Sequence, residues 1–264
     1  MTGRIRRDGD VFGRLIRDFH AGIPCREIIE RDDGLIDVSS GPAAYFTEYA
    51  DWPEEERRAV DLARGRVLDI GCGAGRHALY LQGRGLDVVG IDASPLAVET
   101  CRERGLRDAR VLGITRVGPG LGRFDTILMM GSNFGLFGSR TRARWLLGRF
   151  RSITSEDAVV IAESADPYRT TRPAHLAYHE RNLARGRMPG QLRIRVRHGA
   201  FIGEWFDYLK VSREEMTEIV EGTGWRVTEF LPRTGVVYAG ILEKAARILS
   251  VRRSRSEEVD LHEG

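Results

Sequence analysis

The sequence predicts an α/β fold organised on a doubly wound, mostly parallel sheet, and three observations carry that expectation. Residues 67–70 (VLDI) form a short, mainly apolar run of the kind that makes a parallel strand buried on both faces. Glycines follow at every second position, Gly71, Gly73 and Gly75, and residues 76–81 (RHALYL) then read as the start of a helix. Residues 87–91 (DVVGI) form a second strand that ends in Asp92, about twenty residues beyond the first glycine. Strand, glycine loop, helix, strand and acid in that order describe a nucleotide-type site.

The glycines have a physical purpose. They let the chain turn sharply from strand to helix and let a ligand approach with no Cβ in the way. A dinucleotide fingerprint needs its third glycine at position 76, where Arg76 stands instead. The spacing is Asp-x-Gly-x-Gly-x-Gly, beginning at Asp69. This pattern resembles the cofactor loop of the class I S-adenosylmethionine-dependent methyltransferases. The resemblance covers about residues 66–244, with a gap over an inserted block. It implies a seven-stranded sheet whose last strand is reversed, with helices on both faces, and S-adenosyl-L-methionine as cofactor. It also implies a cofactor set of Asp69, Gly71, Cys72, Gly73, Gly75, Asp92, Ala93, Ile114, Thr115 and Met130. Asp69 or a backbone carbonyl would meet the methionine ammonium, and Asp92 would accept from the ribose hydroxyls.

Before this core, residues 1–64 read as a helical extension. Val11, Leu15, Ile16 and Phe19 fall at helical spacing, and residues 52–56 (WPEEE) open a second helix with acids in its first turn. In the family resembled, such an extension often closes over the cofactor. The alternative is that Tyr45, Phe46 and Tyr49 only pack it onto the core.

Beyond Asp92, Ser94-Pro95 caps a helix through residue 104, and residues 110–112 make a third, weaker strand. Gly113-Ile114-Thr115 follows, where the family usually has an acid or amide to hold the adenine amino group; here Ile114 would pack on the ring, and the Ile114 or Thr115 backbone would bind its edge. Residues 124–130 are a fourth strand running into Gly131-Ser132-Asn133, a loop at the carboxyl end of the sheet where ligands sit. Asn133 either orients a substrate or caps the helix beginning near Ser139. The loop lacks the Asn/Asp-Pro-Pro-aromatic motif of enzymes that methylate nucleobase amino groups. The core is expected over residues 65–163 and 212–244. Its last helix opens in the capping box at Ser212, and two final strands, 225–231 and 236–243, pair as a hairpin. A charged tail, 245–264, is expected to be frayed.

The inserted block, residues 164–211, reads as an α+β substrate lid. Residues 173–180 suggest a helix with His175, Tyr178 and His179 on one face, without the glutamate or third ligand a zinc site would need, so no metal is expected. Residues 191–197 alternate with period two and put Arg193, Arg195 and Arg197 on one strand face, with residues 205–209 as the partner strand. That face is either solvated and paired to acids or offers one guanidinium to a substrate anion. The expected substrate residues are Asn133, His175, Tyr178, Arg193, Trp205 and Tyr208. His179, Tyr178 and Glu163 are the candidates for a base.

The chain has 264 residues, 42% hydrophobic and 30% charged, with a net charge of +3. That balance is too mild to call for nucleic acid or a membrane as partner. Cys25, Cys72 and Cys101 lack metal spacing, and a charged amino terminus lacks the apolar core of a signal peptide, so a cytoplasmic protein, monomer or homodimer, is expected. The function expected is methyl transfer to a small molecule. The rivals are a methyltransferase acting on RNA or protein, a non-catalytic adenosyl-cofactor binder, and, disfavoured by Arg76, a nicotinamide oxidoreductase.

Overall fold

The structure is a computed structural model that describes residues 6–39 and 41–245. The tail expected to fray lies, past Ala245, outside the described residues. The amino-terminal extension begins with helix α1 (Val11–His20), continues through strands β1 (Ile28–Arg31) and β2 (Ile36–Val38), and ends in helix α2 (Glu54–Asp61). The core then alternates: β3 (Arg66–Ile70), α3 (Arg76–Gly83), β4 (Asp87–Asp92), α4 (Pro95–Glu103), β5 (Asp108–Val111), β6 (Phe124–Met129), α5 (Arg140–Ser152) and β7 (Thr154–Ala165). The insertion supplies α6 (Pro173–Ala184), β8 (Gln191–His198), β9 (Phe201–Ile202) and β10 (Phe206–Leu209). Helix α7 (Arg213–Val220) and strands β11 (Trp225–Leu231) and β12 (Val237–Lys244) complete the chain.

Seven strands form one sheet in the order β11-β12-β7-β6-β3-β4-β5, with β12 antiparallel to both neighbours and the rest of the ladder parallel. This is the sheet expected, reversed last strand included. Alternate residues of its strands feed two cores. Leu68 and Ile70 pack with Leu146, Leu147 and Phe150 of α5 and with Met216 and Ile219 of α7. Val67 packs with Ala59 and Val60 of α2, Ala78 and Leu81 of α3, and Val98 of α4. Helices thus cover both faces, as a parallel sheet of apolar strands requires. The strand order turns back between β3 and β6, so a crevice opens at their carboxyl ends.

The extension departs from the helical expectation. Strands β1 and β2 join a second sheet with the insertion, in the order β10-β8-β1-β2, with β9 also pairing β8. Strands of four and three residues are too short to show a period in the sequence, and they are strands here because β8 offers an eight-residue edge. Residues 31–34, with Gly34 at φ +87°, make the hairpin turn between them. Helix α1 is tied down at its first residue. Asp10 accepts from the Gly13 amide at 2.9 Å as its N-cap, and its other oxygen accepts from Ser94 Oγ at 2.8 Å and the Leu96 amide at 3.0 Å. The extension is therefore fixed to the start of α4, beside Asp92.

Candidate active site

A cavity of about 760 Å³ lies between the carboxyl ends of β3, β4 and β6 and the second sheet. Its floor is the glycine loop. The amides of Gly71 and Cys72 donate to Ile91 O at 2.8 and 3.1 Å, which presses the loop against β4. Gly73 has φ +54°, and a Cβ there would meet only the Phe12 ring at 4.0 Å, so that face of the loop is open to the cavity. Asp92 splits its carboxylate between two amides, Gly73 at 3.1 Å and Ser94 at 2.9 Å, leaving each oxygen capacity for another donor. Burial raises its pKa to about 6 against the pull of those amides, with nearby Asp10 pushing the same way. Asp69, 2% exposed, lies beneath the loop, not on the cavity wall. Its Oδ2 is buried without a partner, and burial together with Asp92 raises its pKa to about 7. The floor is thus rich in carboxylates in a dry setting, suited to a cationic ligand.

Of the other expected cofactor residues, Cys72, Ala93, Ile114 and Met130 line the cavity, whereas Gly75 and Thr115 do not. Gly75 instead forms the left-handed N-cap of α3, and Thr115 sits in a single 3-10 turn whose exposed-to-cavity position is taken by Ile114.

The loop after β6 is held in a strained form. Ser132 has φ 61°, the sole positive value among the described non-glycine residues. Its amide and hydroxyl both donate to Glu163 Oε1, at 2.7 and 3.2 Å, and its carbonyl accepts from the Tyr208 hydroxyl at 2.6 Å. Glu163, considered above as a base, is thereby occupied in holding the loop and does not line the cavity. Burial, with Glu56 adding repulsion, raises its pKa to about 7. Asn133 does not cap the following helix, which Ser139 does, and its side-chain NH2 is committed within the protein. Its Nδ2 donates to Ile70 O and Gly71 O, both at 3.0 Å, and joins the two loops. Gly71 permits this approach, since a Cβ there would lie 2.7 Å from Asn133 Nδ2.

The second sheet forms the roof. Register sets Ile29 opposite Val196 and Glu30 opposite Arg195, so the two faces separate cleanly. Leu192, Ile194 and Val196 face the cavity with Ile29, and the arginines face away. Arg195 and Arg197 both bond Glu30, and Arg193 reaches Asp207 at 3.6 Å. Arg193 is therefore not a cavity anchor; its face is solvated and paired to acids. Tyr178 is also displaced from the expected set. It is 2% exposed, donates to Asp32 at 2.6 Å, accepts from the Arg193 amide at 3.2 Å and carries the Arg31 guanidinium on its ring. Trp205 lies under Arg195 with a 4.4 Å separation and is not on the wall. His175, His179 and Tyr208 do line the cavity. His175 and His179 are one helical turn apart, and Tyr178 beside them is turned to Asp32 and the Arg193 amide instead. Burial depresses the pKa of both histidines, so their imidazoles are neutral at pH 7.

Sequence reasoning missed several wall residues, Phe12, Glu27, Arg31 and Lys210, and Tyr45, weighed above as a packing residue, is also on the wall. Tyr45 donates to Glu27 at 2.9 Å on the wall, whereas Phe46 and Tyr49 pack the extension through Phe19 and Tyr80. Glu56 of α2 accepts from Arg76 at 2.8 Å and meets His77 Nε2 at 2.7 Å, fastening α2 to the helix after the glycine loop. Among the described residues, no group of three His, Cys, Asp or Glu side chains could hold a metal, and no helix is long and apolar enough to cross a membrane.

A switch-point cavity over a glycine loop and a strand-end acid defines a nucleotide-type α/β protein. Residues 67–155 match the family described as the methyltransferase domain. The structure is similar to that of a SAM-dependent methyltransferase from Bacteroides fragilis in complex with S-adenosyl-L-homocysteine, with a TM-score of 0.78 at 25% identity, covering 92% of this chain and 98% of that one. A tRNA U34 carboxymethyltransferase from Geobacter sp. (strain M21) is 39% identical over 106 residues, 34% of this chain and 33% of that protein. A magnesium-protoporphyrin O-methyltransferase from Rhodobacter capsulatus is 38% identical over 76 residues, 27% of this chain and 34% of that protein. The chain spans about a third of the length of these curated relatives. Residues 67–155 thus carry a methyltransferase domain, and the fold is the Rossmann-like one of class I S-adenosylmethionine-dependent methyltransferases.

Proposed function

We propose that the protein transfers a methyl group from S-adenosyl-L-methionine to a small-molecule acceptor bound in the same cavity. The observation that carries this reading is the cavity itself, roofed by a sheet that the extension and the insertion build together. The residues fit the cofactor. Asp92 has acceptor capacity left for two ribose hydroxyls, Ile114 offers an apolar surface for adenine, and the open side of Gly73 admits a ligand against the backbone. The carboxylates around the loop favour the positive charges of the methionine end, which the Bacteroides fragilis neighbour's ligand shares in part.

Bound there, the cofactor supplies a sulfonium methyl that is already a good electrophile. The protein's tasks are alignment and exclusion of water. Ser132, clamped between Glu163 and Tyr208, fixes the loop beside the reacting methyl, and Asn133 fixes that loop to the glycine turn. The roof, with residues 164–211 at its centre, covers the cavity. If the acceptor must lose a proton, His179 is the base: it lines the cavity, its imidazole is neutral, and Glu163 and Tyr178 are committed to other bonds.

A second reading has support in the tRNA enzymes among the relatives, with RNA as the acceptor. Two experiments separate them. Methyl-labelled cofactor incubated with a metabolite extract and the protein yields a labelled small product under the first reading. Binding to mixed RNA that weakens steeply with salt, with label appearing in RNA instead, would replace it.

A further inference from the structure

The roof of the cavity holds a cation that its neighbours do not match. Arg31 spends its guanidinium on both oxygens of Asp33, at 2.8 and 2.7 Å, and on Ala174 O at 2.8 Å. Asp37 is paired with Arg172 at 2.9 Å, and Asp166 with Arg169 at 3.5 Å. Glu27 accepts from Tyr45 and Ser39. Lys210 also lines the cavity, yet among the described residues its ammonium has neither a hydrogen-bond partner nor an ion pair. It senses Asp37 and Arg31 only at a distance, and burial lowers its pKa. A half-buried ammonium without a counter-charge costs free energy unless a ligand supplies the missing anion.

The surroundings are built for that purpose. The Lys210 amide donates to Gly190 O at 2.9 Å, so its backbone is fixed. Tyr208, two residues earlier on the same face, holds Ser132 of the loop beside the reacting methyl. Two residues of extended chain span roughly 7 Å, about the length of a substituted aromatic ring. Apolar side chains share that wall with them: Ile29, Leu35, Leu192, Ile194, Phe206 and Val236. We propose that Lys210 anchors an anionic group, a carboxylate or phosphoryl, on a small acceptor that is otherwise apolar. This rests on the methyltransferase reading of the cavity and adds the chemical class of its substrate.

The test uses matched probes titrated into the full chain saturated with S-adenosyl-L-homocysteine: para-hydroxybenzoate against para-hydroxybenzamide, octanoate against octanamide, and phenyl phosphate against phenol. The expected result is a preference of about tenfold or more for at least one anion over its neutral partner. Lys210→Met abolishes that preference and Lys210→Arg keeps part of it, while affinity for S-adenosyl-L-homocysteine is unchanged in both. The carboxylate and phosphate arms tell the two anion types apart. Equal binding of anion and neutral partner in the wild type, failure of every anion to bind, or a preference that survives in Lys210→Met overturns the proposal. Absence of S-adenosyl-L-homocysteine binding to the wild type would overturn the methyltransferase reading instead; the probes titrated into the protein alone then still judge Lys210.

Discussion

Replacing Asp92 with alanine is the sharpest perturbation of the cofactor half of the site. Each carboxylate oxygen already accepts one amide, from Ser94 at 2.9 Å and Gly73 at 3.1 Å, and each keeps one further acceptor position. Two ribose hydroxyls filling those positions would form charge-assisted hydrogen bonds worth about 1.5 kcal/mol each net. Their loss amounts to about 3 kcal/mol, a weakening of roughly 150-fold at 25 °C. The ligand-free protein suffers less. It loses two amide contacts but is relieved of a carboxylate whose ionised form burial disfavours, as its pKa of about 6 records. Calorimetric titration with S-adenosyl-L-homocysteine at pH 8 measures the affinity, and a urea melt checks the fold. A folded Asp92→Ala protein that binds within threefold of wild type would refute the assignment of Asp92 to the ribose.

Four further outcomes follow from the same geometry. Gly73→Val should weaken the cofactor more than Asp92→Ala does, because a branched residue at φ +54° is strained and its side chain enters the cavity; binding within threefold of wild type would take the loop out of the site. Affinity for S-adenosyl-L-homocysteine should fall about tenfold from pH 8 to pH 5, since a raised folded pKa of about 6 means that Asp92 must release a proton to accept two hydroxyls below that pH; a flat profile refutes this. Tyr208→Phe should cost about 1 kcal/mol in a urea melt by freeing Ser132 O, with cofactor affinity within twofold; no change in stability would show that the 2.6 Å bond does not hold the loop. Arg193→Ala should leave both cofactor affinity and methyl transfer at wild-type levels, because its face points away from the cavity; a loss of either contradicts that placement.

The parallel core was legible because its signals are local. A glycine loop after an apolar strand, an acid at the next strand end and the Ser212 capping box each depend on residues within a few positions of one another, and each forms as read. The roof was not legible in the same way. Strands β1 and β2 are too short to show periodicity, and they exist by pairing with a strand about 165 residues later, as Glu30 with Arg195 shows. The period-two run at 191–197 revealed a two-faced strand without revealing which face turned inward. That depended on register: Ile29 against Val196 puts the aliphatic side on the cavity and leaves Arg193 to Asp207. Helix α6 posed the same problem, since Tyr178 shares a face with His175 and His179 by spacing, yet its hydroxyl is taken up by Asp32 of the extension. Lys210 carries no motif at all. Its interest comes from what does not surround it, which only the packed structure shows.

The central claim is that the cavity over Gly71–Gly75 binds an S-adenosyl cofactor and not a dinucleotide, and calorimetry on the wild-type chain tests it directly. S-adenosyl-L-methionine and S-adenosyl-L-homocysteine should each bind one site per chain, with NAD at least a hundredfold weaker, about 3 kcal/mol of discrimination. NAD binding as tightly as S-adenosyl-L-homocysteine, or no saturable heat from either S-adenosyl compound, would contradict it.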